Sequence, residues 1–328
     1  MRILITGAAG FIGQMVAKRL LDDENGSHTL VLTDIIKPPI PPNVRNPQNA
    51  KSITADLSTD SNGVVEKSFD AVYVFHGIMS SGAEADFDLG MKANFDATRV
   101  LLDTLRRTCP GVRVIYASSQ AVYGGDVVTP VTEAMQPTPE TSYGAEKMMC
   151  EYLINEYTRR GFINGISLRF PTVSVRPGKP TAAASSFLSG MVREPMNGIK
   201  CVIPIQDRSW RHWLCSPRIL VKNLVFALTL PGDALPAYNR SINHPGIGVS
   251  IQDMMDSLAR VGGKELLDLL EETESPGLKK ILYSWPGEFD NAKALALGFE
   301  RDANFDDIVR GYKDGLQAVR NGHGNGKL

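Results

Sequence analysis

The stretch "ITGAAGFIG", from Ile5 to Gly13, limits what this chain can fold into more than any other. It joins an apolar run, Arg2 to Thr6, to an amphipathic run, Phe11 to Leu21. The first reads as a buried strand and the second as a helix. Glycine at position 7 permits a sharp turn. Glycine at 10 lets the backbone approach an anion such as a pyrophosphate. Glycine at 13 lets the helix pack close to the strand. The helix N-terminus then faces the anion.

The alternation continues down the chain. Thr29 to Asp34, Ala71 to His76, Val112 to Ser119 and Gly165 to Phe170 are short runs rich in Val, Ile and Leu. They do not alternate polar with apolar residues, as befits parallel strands covered on both faces. Helical patterns lie between them, over Phe11 to Leu21, roughly Glu84 to Thr108, and Ser142 to Arg160. Strand then helix, repeated, predicts an α/β fold with a doubly wound parallel sheet. The segment Lys37 to Gln48 holds five prolines and reads as a surface excursion. After Phe170 the rhythm breaks. Helices are expected near Ser185 to Arg193, Pro217 to Leu228, Ser250 to Ala259, Lys264 to Glu272 and Phe305 to Gln317. This reading divides the chain into a nucleotide-binding domain over 1–172, to which 213–238 returns, and a smaller C-terminal substrate lobe of 173–212 and 239–328. Ligands of open α/β sheets bind beyond the carboxyl ends of the strands, here facing a cleft between the lobes.

The 328 residues carry a formal net charge of −1, which removes any global electrostatic case for nucleic acid or an anionic membrane. No apolar run approaches the ~20 residues that a bilayer span needs, and no secretory leader is legible. Cys109, Cys150, Cys201 and Cys215 form no C-x-x-C pair and read as small core residues in a reducing cytosol. No His or Cys spacing suggests a metal. The final Gly326-Lys327-Leu328 differs by one residue from a peroxisomal address, a weaker alternative to the cytoplasm.

Asp34 ends the second strand, 21 residues past Gly13. A carboxylate at that distance accepts hydrogen bonds from adenosine ribose hydroxyls and repels a 2′-phosphate. NAD is therefore expected rather than NADP. Asp56 follows the third strand and could hold the adenine amine, or be an exposed loop carboxylate. Ser118 and Ser119 end the run from Val112, at the carboxyl edge of the sheet. Tyr143 follows Ser119 by 24 residues and Lys147 follows Tyr143 by four, so these two share a helix face. A free phenol titrates near 10, too high for a base at neutral pH. A Lys ammonium one turn away favours the phenolate. A serine hydroxyl can then hydrogen-bond the substrate oxygen. Such a set takes the proton of an alcohol while hydride leaves for a nicotinamide, or runs in reverse. Tyr-x-x-x-Lys alone arises often by chance. The whole ordered set of Gly-rich turn, Asp34, Ser119, Tyr143 and Lys147 does not.

"TGAAGFIG", "SSQAVYG" and "SYGAEK" resemble the extended short-chain dehydrogenase/reductase family, over nearly the whole chain. The resemblance implies a Rossmann domain, a Ser119, Tyr143 and Lys147 triad, and Asn94 supporting the lysine through water. It implies that His76, Gly77, Phe170 and Pro171 border the nicotinamide. Ala9, Phe11, Ile12 and Leu57 join Gly7, Gly10, Gly13, Asp34 and Asp56 along the rest of the cofactor. Members commonly dimerise through two long helices, here those near 84–108 and 142–160, so a homodimer is expected. The family holds sugar-nucleotide epimerases and dehydratases as well as plain dehydrogenases.

Two departures argue against a sugar nucleotide. Such enzymes usually carry Asn three residues after an arginine of the sixth strand, and here Thr172 follows Arg169. They also tend to carry a stretch ending in two aspartates, where "RHWLCSPR" (Arg211 to Arg218) keeps only the arginine. "AEADFDLGMKAN", "SVRPGKPTAAASSFLSGMVREP", "WLCSPR" and "SWPGEFD" instead resemble one narrower group, the D-erythronate dehydrogenases. That resemblance implies NAD-dependent oxidation of a four-carbon hydroxy acid at carbon 2. "HGIM" (His76 to Met79) departs from the wider family's His-Leu-Ala-Ala and changes the cavity expected beside the nicotinamide. A buried carboxylate needs cationic or several polar donors. Arg176, Lys179 and Arg211 are the candidate cations, each equally readable as a surface charge. Ser80, Ser81, Thr172, Ser185 and Ser186 are the candidate hydroxyls, the last two also readable as helix caps. Trp210, His212 and Trp213 read as packing. The competing functions are a reductase of bulkier carbonyls, a sugar-nucleotide epimerase and a non-catalytic NAD-sensing scaffold.

Overall fold

The computed structural model describes residues 1–320 other than Asp60, Lys67 and Ala182. The Gly326-Lys327-Leu328 end lies outside the described residues. Two compact units emerge. One holds Met1–Val122, Ser142–Arg169 and Val221–Ile242. The other holds Tyr123–Thr141, Phe170–Leu220 and the chain from Asn243 on.

The central sheet is built from β1 (Arg2–Thr6), β2 (Thr29–Asp34), β3 (Ala50–Thr54), β4 (Ala71–Val74), β5 (Arg113–Ser119), β6 (Asn164–Phe170) and the short strand Ser241–Asn243. Its order is β3, β2, β1, β4, β5, β6, then Ser241–Asn243. β1 pairs in parallel with β2 and with β4, and β5 pairs in parallel with β4. The order reverses at β1, the switch point that opens a crevice at the strands' carboxyl ends. This is the doubly wound α/β fold expected from the alternating runs.

The helices of this unit include α1 (Phe11–Leu21), α2 (Ser80–Ala85), α3 (Phe87–Gly90), α4 (Ala97–Thr108) and α5 (Ser142–Arg159), with most of the helix Pro217–Phe226. Leu101, Leu102 and Leu105 of α4 and Cys150 and Ile154 of α5 bury against Val72, Val74, Val114 and Tyr116 of the sheet. All four cysteines are buried and unpaired, as core residues.

One expected helix is broken. The stretch from Glu84 to Thr108 is not continuous. Asp86 turns extended (φ −139°, ψ 95°) and its Oδ1 accepts the Leu89 N–H at 3.0 Å, capping α3. A π-turn over Met91–Asp96 then leads into α4. A short acidic side chain that can serve its own backbone ends a helix that periodicity alone would continue.

Among its described residues the second unit has two small sheets. Arg211–Cys215 lies between Ile247–Ser250, antiparallel, and Thr172–Val173, parallel. Cys201–Ile203 pairs in parallel with Leu270–Glu272. The helix expected over Lys264 to Glu272 is instead a 3₁₀ segment, Lys264–Leu269, followed by that strand. Short apolar runs in this region do not distinguish helix from strand by period. The helix Ile251–Val261 opens on a reciprocal capping box between Ser250 and Asp253. His212 is buried, stacked on Trp210 at 5.0 Å, with Trp285 at 6.0 Å, which is the packing role expected of it. Among the described residues no helix is long and apolar enough to cross a membrane.

Candidate active site

The Gly-rich turn leaves β1 and enters α1. Gly7 sits at φ +63°, and a Cβ there would lie 2.6 Å from the Phe75 carbonyl carbon and the His76 nitrogen. A Cβ on Gly13 would lie 2.6 Å from the Gly7 oxygen, so α1 approaches the strand only because both are glycine. Gly10 is the N-cap of α1, makes no side-chain cap, and no acidic residue occupies the first turn, which begins with Phe11 and Ile12. The N–H groups of that turn are therefore served by no capping side chain, as an anion site requires.

Asp34 closes the other side. Its Oδ2 accepts the Ala9 N–H at 3.0 Å and its Oδ1 accepts the Ile35 N–H at 2.8 Å. Each carboxylate oxygen retains a lone pair for a ribose hydroxyl. A glycine turn, an uncapped helix start and a half-buried carboxylate within one βαβ unit fit a dinucleotide without a 2′-phosphate. Asp56 is exposed and bonds the Ser58 N–H and hydroxyl at 3.0 and 2.6 Å; these bonds hold its carboxyl below the usual range. Leu57 is buried in the core of the sheet.

His76 follows β4. Its Nδ1 lies 2.8 Å from the Thr6 hydroxyl and its Nε2 lies 3.3 Å from the Thr98 hydroxyl. Thr98 donates to the Asn94 carbonyl at 2.8 Å, which leaves it to accept from His76 Nε2–H. Burial, and then the Lys147 charge, push the imidazole down to about 3, so it is neutral at pH 7. Asn94 lies in the π-turn. Its Oδ1 accepts the Ile78 N–H at 2.8 Å and its Nδ2 donates to Glu146 Oε2 at 2.6 Å.

Ser119 ends β5, and its Oγ accepts the Ala121 N–H at 3.1 Å. Ser118 points the other way, is buried, and donates to Glu151. Only Ser119 of the pair is thus available to a ligand. Tyr143 and Lys147 occupy one face of α5, as their spacing requires. Lys147 is buried, donates to the Ala117 carbonyl at 2.9 Å, and stands 5.5 Å from the Tyr143 ring centre and 4.9 Å from that of Tyr116. The start of α5 is fixed by Glu84, whose Oε2 accepts the Ser142 N–H at 3.0 Å.

The remaining candidates divide between the units. Ser80, buried, and Ser81, half-buried, open α2 in the first unit. Phe170 meets His244 edge-on at 6.0 Å, and Pro171 is buried. In the second unit Thr172, Arg176 and Ser185 line one small cavity, together with Thr181, Ser189 and Arg193. The Thr172 hydroxyl donates to Ser185 at 3.0 Å and lies 2.7 Å from His212 Nε2. Ser185 precedes the helix Ser186–Met196 but makes no side-chain cap. Lys179 is exposed. Arg211 is absent from this cavity's lining. Its guanidinium pairs with Glu288, reaches Asp253 at 3.4 Å and donates to the Gly248 carbonyl at 2.6 Å. Sequence reasoning missed Thr98, Glu146 and Glu151. Glu151 was legible: it lies four residues past Lys147, on the same inward face of α5.

A family model described as the NAD dependent epimerase/dehydratase family matches residues 3–231. The D-erythronate dehydrogenase of Haemophilus influenzae is 40% identical over 94% of this chain and 98% of its own. That of Cupriavidus necator is 38% identical over 96% of this chain and 98% of its own. A crystal structure of the nucleoside-diphosphate-sugar epimerase from Agrobacterium tumefaciens superposes with a TM-score of 0.89 at 33% identity, covering 97% of this chain and 95% of that one.

Replacing Asp34 with Ala should weaken NAD roughly 10- to 100-fold, the worth of charge-assisted hydrogen bonds, while NADP loses much less. KM values for both cofactors in the Asp34→Ala variant test this. An unchanged NAD-to-NADP ratio would remove Asp34 from cofactor selection.

Proposed function

The chain belongs to the NAD dependent epimerase/dehydratase family, and from that premise we propose that it oxidises D-erythronate or a close polyhydroxy acid at carbon 2, giving the 2-keto acid. The observation that carries this reading is 40% identity to a D-erythronate dehydrogenase along 94% of the chain, in a chain that itself carries Ser119, Tyr143 and Lys147. The first unit is assigned to the cofactor and the second to recognition of the acid.

The proposed chemistry needs few parts. Bound NAD supplies the hydride acceptor. Gly7, Ala9, Gly10, Phe11, Ile12 and Gly13 hold its pyrophosphate end and Asp34 its adenosine ribose. Tyr143 takes the proton of the substrate hydroxyl. Lys147, anchored on the Ala117 carbonyl, keeps its ammonium beside the Tyr143 ring. Ser119 accepts the Ala121 N–H, which leaves its own O–H to donate to the substrate oxygen. In the second unit, Arg176 is the cation assigned to the carboxylate and Thr172 and Ser185 the hydroxyl contacts. Arg211 lies outside the cavity that Arg176 lines, and pairs with Glu288 and Asp253.

A screen of NAD reduction over aldonic acids of four to six carbons, with sugar nucleotides as controls, decides the substrate. NADH absorbance should rise on D-erythronate or a near relative. A preparation inert on every acid that interconverts a sugar nucleotide without net NADH would favour an epimerase instead, the activity named for the Agrobacterium tumefaciens structure.

The protein is further assigned to the cytosol, where its four buried thiols stay reduced, and to a homodimer. Phe87 and Leu89 of α3 and Tyr152 of α5 are exposed apolar side chains on the two segments expected to pair. Sedimentation should give about 72 kDa, twice the 35.8 kDa chain mass; a monomer at micromolar concentration would exclude this assembly.

A further inference from the structure

Glu146 lies between Tyr143 and Lys147 on α5, yet it points away from both their roles. It is 1% exposed. Its Oε2 accepts from Asn94 Nδ2 at 2.6 Å. Its Oε1 is buried without a hydrogen-bond partner among the described residues, in a space that exists only because residue 90 is glycine: a Cβ on Gly90 would overlap that oxygen. A buried carboxyl that serves one hydrogen bond is costly, so a core-filling role alone would favour an apolar residue. Desolvation raises this carboxyl above its usual range, with the Glu84 charge adding and the Asn94 bond and Lys147 opposing.

What the carboxyl does is orient an amide. The Asn94 NH₂ group donates to Glu146 at 2.6 Å and, more weakly, to the Ile78 carbonyl at 3.3 Å, so that its Oδ1 faces the Ile78 N–H, 2.8 Å away. Rotated by half a turn, that amide would set NH₂ against N–H. Asn94 Oδ1 also fills the space that a Cβ on Gly77 would take, where the backbone runs at φ +139°. The turn His76–Ile78 is thus held from below by Asn94, and Asn94 by Glu146. The π-turn that carries Asn94 is the kind of local widening that concentrates at functional sites.

We propose that Glu146 is a positioning residue: by fixing the Asn94 amide it holds the His76–Ile78 turn in the shape that receives the nicotinamide half of NAD. This rests on the NAD site assigned above and not on the identity of the acid. Glu146 touches neither ligand. Its effect passes through Asn94, and it appears in cofactor affinity rather than in recognition of the substrate.

The test compares Glu146→Gln, Glu146→Met and Glu146→Ala by calorimetric titration with NAD alone, and by hydrogen–deuterium exchange over residues 76–79. NAD titration needs no substrate, so failure of the D-erythronate reading leaves it intact, and loss of the NAD site would show in the wild-type protein. A Gln oxygen can still accept from Asn94, whereas Met fills the volume without an acceptor. Losing one such bond should weaken NAD about five- to tenfold in the Met and Ala variants. The 76–79 segment should exchange faster in both, and Gln should stay within about threefold of wild type. If Met keeps wild-type affinity and exchange, Glu146 is only a filler. If Gln loses as much as Ala, orientation of the amide is not its role. Should Met or Ala unfold, the Gln variant with unchanged protection at Ile78 still supports the proposal, and a Gln variant that loses it overturns it.

Discussion

Glu151 is fully buried, and both of its carboxylate oxygens are occupied. Arg169 of β6 meets it at 2.7 Å, Ser118 of β5 donates to Oε1, and Ser241 donates to Oε2 at 2.6 Å. One side chain therefore ties α5 to three neighbouring strands of the central sheet. Such a pair is weak evidence for net stability, because both ions lose their hydration. Breaking it by removing one partner typically costs about 3–5 kcal/mol, since the other charge stays buried alone. Its value here is geometric. Glu151 stands one turn beyond Lys147, so anchoring it sets the height and rotation of the face that carries Tyr143 and Lys147. The Lys147 bond to the Ala117 carbonyl adds a second tie to the same edge of β5.

The end of the sheet proposed to hold the cofactor depends on it in a different way. Gly7 packs its backbone against Phe75 and His76, so the turn after β1 and the turn after β4 are one surface. Thr6 and Thr98 hold His76 from both ring nitrogens. Asp34 fixes the turn after β1 from β2 through the Ala9 N–H. Three adjacent strand ends thus constrain one another through backbone contacts and short polar side chains. Little in that arrangement can be replaced by bulk.

Most of the first unit was legible in the sequence because its signals are local. The runs at Arg2–Thr6, Thr29–Asp34 and Phe11–Leu21 have the observed bounds, since buried parallel strands and amphipathic helices write their period directly. The spacing of Tyr143 and Lys147 placed them on one face for the same reason. What was not legible depends on contacts distant in sequence. Asp86 ends a helix through its own side chain, which period does not register. The strand at Leu270–Glu272 exists because Cys201–Ile203 lies beside it. Arg211 read as a spare cation because nothing local announces Glu288, 77 residues away. The Asn94–Glu146 bond, 52 residues apart, is hidden in the same way.

The central claim is that the Tyr143 hydroxyl moves the substrate proton on a platform that binds NAD independently of it. The direct measurement is turnover and NAD affinity together in Tyr143→Phe, which removes one oxygen and keeps the ring beside Lys147. Turnover on the best acid of the NAD-reduction screen should fall by about 10²- to 10⁴-fold, the usual worth of a positioned acid–base group. The dissociation constant for NAD should stay within about threefold of wild type. Near-normal turnover in that variant would contradict the role given to Tyr143.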